Sequence, residues 1–157
     1  MIEIPILKYK PKQHQKENYL IDCKNKWVKK GTVKHEELES LLDKPSSLWY
    51  GWDSSYNGKN DRIHESEVDR ISGSLFFIKT HCTIIVKTEG IDKPKKKVRC
   101  SFTYNKTDYA LTVTDPGIEQ KYINESERSY SIGQKYVCVS LGMAYNGYLY
   151  LFVATIL

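Results

Sequence analysis

Residues 135–157, KYVCVSLGMAYNGYLYLFVATIL, constrain the fold more than any other stretch: two apolar runs separated by a glycine-bearing turn. A terminus this apolar must be buried, and apolar runs of this length bounded by turn residues read as β-strands. The chain is therefore expected to close as a β-structure on its own C-terminal hairpin. In the last run both faces are apolar, with Tyr148, Tyr150, Phe152, Ala154 and Ile156 on one and Leu149, Leu151 and Val153 on the other. Such a strand belongs inside a sheet, covered on both sides. Asn146-Gly147 suits a tight hairpin, since both residues tolerate positive φ, while Gly142 close by leaves a wider connection open.

The same pattern runs upstream from Leu75, through LFFIKT, CTIIVKT, VRCSFTY and YALTVT. Val98, Cys100, Phe102 and Tyr104 alternate with Arg99, Ser101, Thr103 and Asn105, so one face is buried and the other wet. Tyr109, Leu111 and Val113 mirror that run across a hairpin loop at Asn105 to Asp108, and Asp115-Pro116-Gly117 reads as the turn that ends it. Before Leu75 the signals are weaker. IEIPIL at 2–7 is a strand that Pro5 confines to an edge or kinks, and Tyr19 to Ile21 is a short run able to pair again. One helix is expected from Val33 to Asp43, where Leu38, Leu41 and Leu42 share a face, Thr32 caps and Pro45 stops. Glu36, Glu37 and Glu39 then fall on its solvated side. Residues 46–62, SSLWYGWDSSYNGKNDR, have neither helical nor strand period and form an aromatic loop; Ser66 to Ile71 follows as a helical turn with Val68 and Ile71 inward. The class is mainly β with one short α-helix.

With 157 residues the chain is one domain of ordinary size, or two very small units sharing a core. Twelve Tyr and three Trp against four Phe tilt it toward strands and toward surfaces that carry an apolar ring with a polar tip. Cys23, Cys82, Cys100 and Cys138 are isolated, without a C-x-x-C pair, and His14, His35, His64 and His81 are scattered, so no metal or cofactor is implied. His64-Glu65 beside Asp61 is the nearest approach to an acid/base group, but charged residues before a helical turn are ordinarily solvated. Cys138 and Ser140 lie in a strand-to-strand context, which is not that of a nucleophile elbow, and no phosphate-binding or dinucleotide fingerprint occurs. No catalytic residue is expected. The short apolar run at the N-terminus has neither the length nor the flanks of a signal peptide or membrane span, so a cytoplasmic setting away from membranes is expected.

What remains is basic residues interleaved with aromatic ones. The net charge of +5 is modest, but Lys24, Lys26, Lys29, Lys30 and Lys34 cluster around Trp27, and Lys93, Lys95, Lys96, Lys97 and Arg99 form a second group. Trp49, Tyr50, Trp52 and Tyr56 stand beside Lys59 and Arg62. Rings that stack on bases and cations that meet phosphates make a surface for single-stranded nucleic acid; aromatics in the core capped by snorkelling lysines are the plain alternative. The expected contacts are Trp27, Trp49, Tyr50 and Trp52 for bases and Lys29, Lys30, Lys59, Arg62, Lys96, Lys97 and Arg99 for phosphate.

In order along the chain, IEIPIL, HQKENYLID, ELESLLDKPSSLW, SLFFIKT, FTYNKTDYALTVTDP and YVCVSLGMAYNGYLYLFVATI resemble the bacterial family of dual OB-fold-containing domains. The more specific pieces are Thr114-Asp115-Pro116 after a YxLxVT strand and Ser140-Leu141-Gly142 followed by Asn146-Gly147-Tyr148. The resemblance implies two small OB-like barrels and, by analogy of fold, nucleic-acid binding in a prokaryotic defence or genome-conflict setting. Members of that family carry about sixty further residues before the strand matching IEIPIL, roughly a small barrel's share of chain, and this chain is expected to lack that segment. The expected layout is thus a reduced or partial OB-like unit over residues 1–72 and a complete OB-like barrel over 73–157, the two forming separate units or one compact domain. The rival expectation is a protein-interaction module whose open edge near IEIPIL recruits a protein partner or a second copy of the chain.

Overall fold

A computed structural model describes residues 1–90 and 92–157. The strands are β1 (Ile2–Glu3), β2 (Ile6–Tyr9), β3 (Tyr19–Ile21), β4 (Val28–Lys29), β5 (Trp52–Asp53), β6 (Arg62–His64), β7 (Leu75–Glu89), β8 (Lys95–Tyr104), β9 (Thr107–Val113), β10 (Ser129–Tyr145) and β11 (Tyr148–Ile156). Strands β7 to β11 make a barrel in the order β10-β7-β8-β9-β11, closed by pairing of β10 with β11. All neighbours are antiparallel except β9 and β11, which run parallel and meet only at Phe152–Thr112 and Val153–Val113.

Alternation builds the interior. Ile78, Cys82, Ile84 and Val86 of β7, Val98, Cys100 and Phe102 of β8, and Tyr109, Leu111 and Val113 of β9 point inward. Val137, Val139 and Leu141 of β10 and Leu149, Leu151 and Val153 of β11 complete the lining. Each buried aliphatic side chain contributes about 1.5–3 kcal/mol, and a one-residue slip would turn a strand's whole set outward. The period of two therefore fixes the register. The long β10 pairs on both sides, with an irregularity between Ser131 and Gly133 against β7 and two against β11, between Cys138 and Val139 and between Leu141 and Ala144. Gly142 sits between Leu141 and Ala144, where a Cβ would come within 2.9 Å of the Phe152 ring. The final hairpin is tight: Tyr145 pairs with Tyr148 around Asn146 and Gly147, both at positive φ.

Between β9 and β10 lies the one α-helix of the described residues, α1 (Pro116–Tyr122). Asp115, Pro116 and Gly117 start this helix rather than a simple turn: the Asp115 carboxylate accepts from the amides of Gly117 and Ile118, and Pro116 occupies the first turn, where its missing N–H costs nothing. The other carboxylate oxygen accepts from the Thr155 hydroxyl at 2.6 Å and the Ile156 amide at 3.2 Å, tying α1 to the end of β11. Burial opposes ionisation there, but these bonds win and hold the Asp115 carboxyl below its usual range.

Two further expectations are corrected. LFFIKT and CTIIVKT are one continuous strand, β7. The helix expected at Val33 to Asp43 is a 3-10 helix over His35–Leu41 with no buried residue; Lys34, not Thr32, sits at its cap, and its amide bonds to the Glu37 carboxylate. Leu41 is exposed, so the leucines never formed a core-facing stripe. Glu39 is not merely solvated either, since it accepts from Lys79 at 2.7 Å and from the Tyr136 hydroxyl at 2.8 Å and straps the segment to β7 and β10. A second 3-10 helix covers Glu65–Arg70, with Ile71 buried after it.

Residues 1–34 are built differently. β1 pairs only with β4 and β2 only with β3, as separate two-stranded ladders. This lobe is held to the barrel by the fully buried His14, whose Nε2 donates to the Leu141 carbonyl at 3.2 Å, and by Glu17, whose carboxylate accepts from the hydroxyl and amide of Ser74.

Candidate nucleic-acid interface

In OB folds oligonucleotides lie on the outer face of the second and third barrel strands and on the loops beside it. Here those strands are β8 and β9, whose outward pairs are Arg99–Thr112, Ser101–Ala110 and Thr103–Asp108. The chain covers part of this face with its own residues 52–64. Strand β6 pairs with Tyr148–Tyr150 of β11, and Lys59 exchanges two backbone bonds with Ala110 of β9. The segment thus fills the seam where β9 and β11 diverge.

Its charges are met within the molecule. Arg99, 9% exposed, sends Nε and Nη2 to Glu89 at 2.6 and 3.1 Å and Nη1 toward Asp61 at 3.5 Å. Asp61, buried, accepts from the amide and hydroxyl of Ser55 at 2.7 and 2.6 Å. Gly58 packs so closely on that carboxylate that a Cβ would fall 1.8 Å from its oxygen. Lys59 pairs with Asp108 at 2.7 Å, and Arg62 pairs with Asp53 at 2.7 Å while lying 4.0 Å over the Tyr148 ring. Asp61 is turned away to Ser55 and Arg99, and the His64 ring accepts from the Ser66 amide as a cap, so the two are engaged with different partners. Among the described residues no group of His, Cys, Asp and Glu is placed to hold a metal ion.

The stacking residues separate in the same way. Trp49 is 6% exposed; its indole N–H donates to the Gly73 carbonyl at 2.8 Å and its ring packs 4.8 Å from Phe76, so it offers no free face to a strand passing over the surface. Trp52 is half-buried, donates to the Leu48 carbonyl and meets Tyr109 edge-on. Tyr50, 70% exposed, and Trp27, 55% exposed, do present their rings. Of the β7–β8 hairpin lysines, Lys97 is exposed while Lys96 donates to the Glu125 carbonyl at 3.0 Å. Trp27, Lys29 and Lys30 fall together around β4, Lys30 pairing with Glu3 at 2.7 Å. Tyr50, Lys97 and the paired Lys59, Arg62 and Arg99 belong to other parts of the molecule.

Sequence reading divided the lysines by clusters and missed how they divide by lobe. Residues 1–34 hold nine lysines against Glu3, Glu17 and Asp22, a net +6, while residues 35–157 hold fifteen basic and sixteen acidic side chains. The whole basic excess thus lies in residues 1–34, on the ladders and the turns between them. Tyr9 and Tyr19 pair across β2 and β3 with ring centres 5.2 Å apart, and each is 53% exposed. The signal was present as K-Y-K at 8–10 and as acid-poor composition before residue 35, but it gains meaning only once these residues are seen outside the barrel.

A five-stranded barrel with a parallel closure of its third and fifth strands and a helix between the third and fourth defines an OB-fold module. The chain belongs to the family of dual OB-containing domains, whose model matches residues 1–156. No curated protein and no solved structure matches it. No helix among the described residues is long and apolar enough to cross a membrane.

Proposed function

We propose that the protein is a non-enzymatic module that binds single-stranded nucleic acid across its N-terminal lobe, with the barrel as the rigid support. The observation that carries this reading is the coincidence of the net +6 of residues 1–34 with exposed Tyr9, Tyr19 and Trp27. Lysines neutralise phosphates, and each base stacked on a ring contributes roughly 1–3 kcal/mol. Trp27, Lys29 and Lys30 are shared with the expectation from sequence; the internally paired Arg62 and Arg99 and the buried Trp49 drop out as surface contacts. Fluorescence anisotropy with labelled oligo-dT and oligo-U is the test: affinity should fall steeply with salt, and absence of binding at low salt, or binding indifferent to salt, overturns the reading. The family resemblance supports a prokaryotic defence setting, which would show as changed phage plating when the gene is deleted; unchanged plating across a phage panel counts against it.

A second reading rests on Ile2, Ile6 and Leu7, which are aliphatic, exposed and of little use to a base. Beside two-stranded ladders in which each strand has one edge without a ladder partner among the described residues, they suit a protein partner or a second copy of the chain. Light scattering showing a strict monomer, with no protein retained in a pulldown, argues against it.

A further inference from the structure

The aromatic loop, the second 3-10 helix and the start of β7 enclose a cavity of about 500 Å³ that the lobe reading leaves unused. Its size lies within the roughly 300–1,000 Å³ of small-ligand sites. Trp49, Phe76, Leu75 and Ile71 supply apolar wall, Tyr50 stands exposed at the mouth, and Glu67 and Arg70 form a polar rim in which Arg70 Nη1 donates to Glu67 at 2.9 Å.

Two features mark the cavity as built. Trp49 is held at φ 60°, a region that a bulky side chain ordinarily avoids, and the bond from its indole N–H to Gly73 across the cavity helps keep it there. Strain of this kind concentrates at ligand clamps. Two of the largest apolar groups at the site, Leu75 at 50% exposure and Tyr50 at 70%, are also left uncovered, so the site is open and unfilled by the chain itself.

We propose that this cavity receives one nucleobase. Flat aromatic walls select a planar ring, the Glu67 carboxylate accepts from an N–H edge, and the largely exposed Arg70 side chain, paired with Glu67 at 2.9 Å, would trade that contact for a ring face or a phosphate. The position connects the site to the strand reading, on which the proposal rests for the source of the base. Gly73 lines the cavity, Ser74 follows it, and Ser74 is held by Glu17 of the basic lobe. The attachment of the lobe thus lies next to the cavity wall in sequence and in space. A free nucleoside is the other source of the same chemistry.

The test uses the full chain with two probes, 2-aminopurine riboside and an oligo-dT carrying one 2-aminopurine, both quenched when the ring stacks. Tyr50→Ala, at an exposed position, should weaken riboside binding by about five- to a hundredfold, the loss of one stacking partner. K24E/K26E/K29E should leave riboside binding unchanged and weaken the oligonucleotide. Saturable riboside quenching that Tyr50→Ala weakens to that extent supports the base site. If the strand binds in a salt-dependent way while the riboside does not, and Tyr50→Ala changes neither, the base site is overturned and the lobe reading stands. If the riboside binds with Tyr50 sensitivity and the strand does not bind, the base site stands for free nucleosides and the lobe reading falls.

Discussion

The barrel and the N-terminal lobe are made from one chain by opposite rules. In the barrel, charge is buried only where it is matched: Arg99 is flanked by Glu89 and Asp61, and even a single carboxylate, Asp115, is shared between a helix start and a strand end. In the lobe, nine lysines face three carboxylates and large apolar rings lie open to water. A region optimised for its own stability pairs its charges and hides its rings. The lobe pairs Lys30 with Glu3 but has too few carboxylates for its other lysines and leaves its rings exposed, a surface costly in repulsion and in exposed apolar area.

The contrast can be broken in four places. Arg99→Ala should have the largest effect, about 3–5 kcal/mol lost in urea denaturation, because it leaves the buried Asp61 and the half-buried Glu89 without a cation. A loss below 1 kcal/mol would show the barrel's charges to be as dispensable as the lobe's. Asp115→Ala should cost about 2 kcal/mol by the same measurement, through the helix cap and the anchor at Thr155.

The third place is the joint between the two regions. The Glu17 carboxyl, although burial opposes it, is held below its usual range by the hydroxyl and amide of Ser74. A depressed carboxyl contributes stability that is complete above the ordinary value of about 4.3 and is lost as pH falls through its lowered value. Lobe amides should therefore exchange faster below about pH 4 while barrel amides stay protected, and Glu17→Gln should show the faster exchange already at neutral pH. Simultaneous loss of protection in both regions would mean that the lobe has no separate attachment. The smallest effect on stability, within about 0.5 kcal/mol, is expected of K24E/K26E/K29E. The same variant should lower the salt slope of strand binding by about two, and an unchanged slope would remove these lysines from the interface.

The barrel was legible because its evidence is local and repeated. Val98 to Tyr104 and Tyr109 to Val113 alternate at period two, and the Asn146-Gly147 turn carries its φ requirement in its residues. The 35–41 segment misled because leucines three and four apart are a helix signal only when something covers them, and here Glu39 makes the attachment instead. Helix α1 was hidden by Gly117, which makes an N-terminal capping sequence look like a turn. The site was harder still. A tryptophan reads the same whether its ring faces water, as in Trp27, or the Phe76 ring, as in Trp49, and Lys59 and Arg62 gave no sign of Asp108 and Asp53. Exposure and pairing across dozens of residues are properties of the fold, not of the neighbourhood in sequence.

The strip of chain in the β9–β11 seam also bears on how the protein is made. Arg62 and Ile63 leave the ribosome roughly ninety residues ahead of Tyr150 and Leu149, their hydrogen-bonded partners. At about 5–20 residues per second that is a delay on the order of five to twenty seconds. During that interval Ile63, fully buried in the finished protein, waits for the strand it pairs with, and its exposure ends only when β11 has emerged.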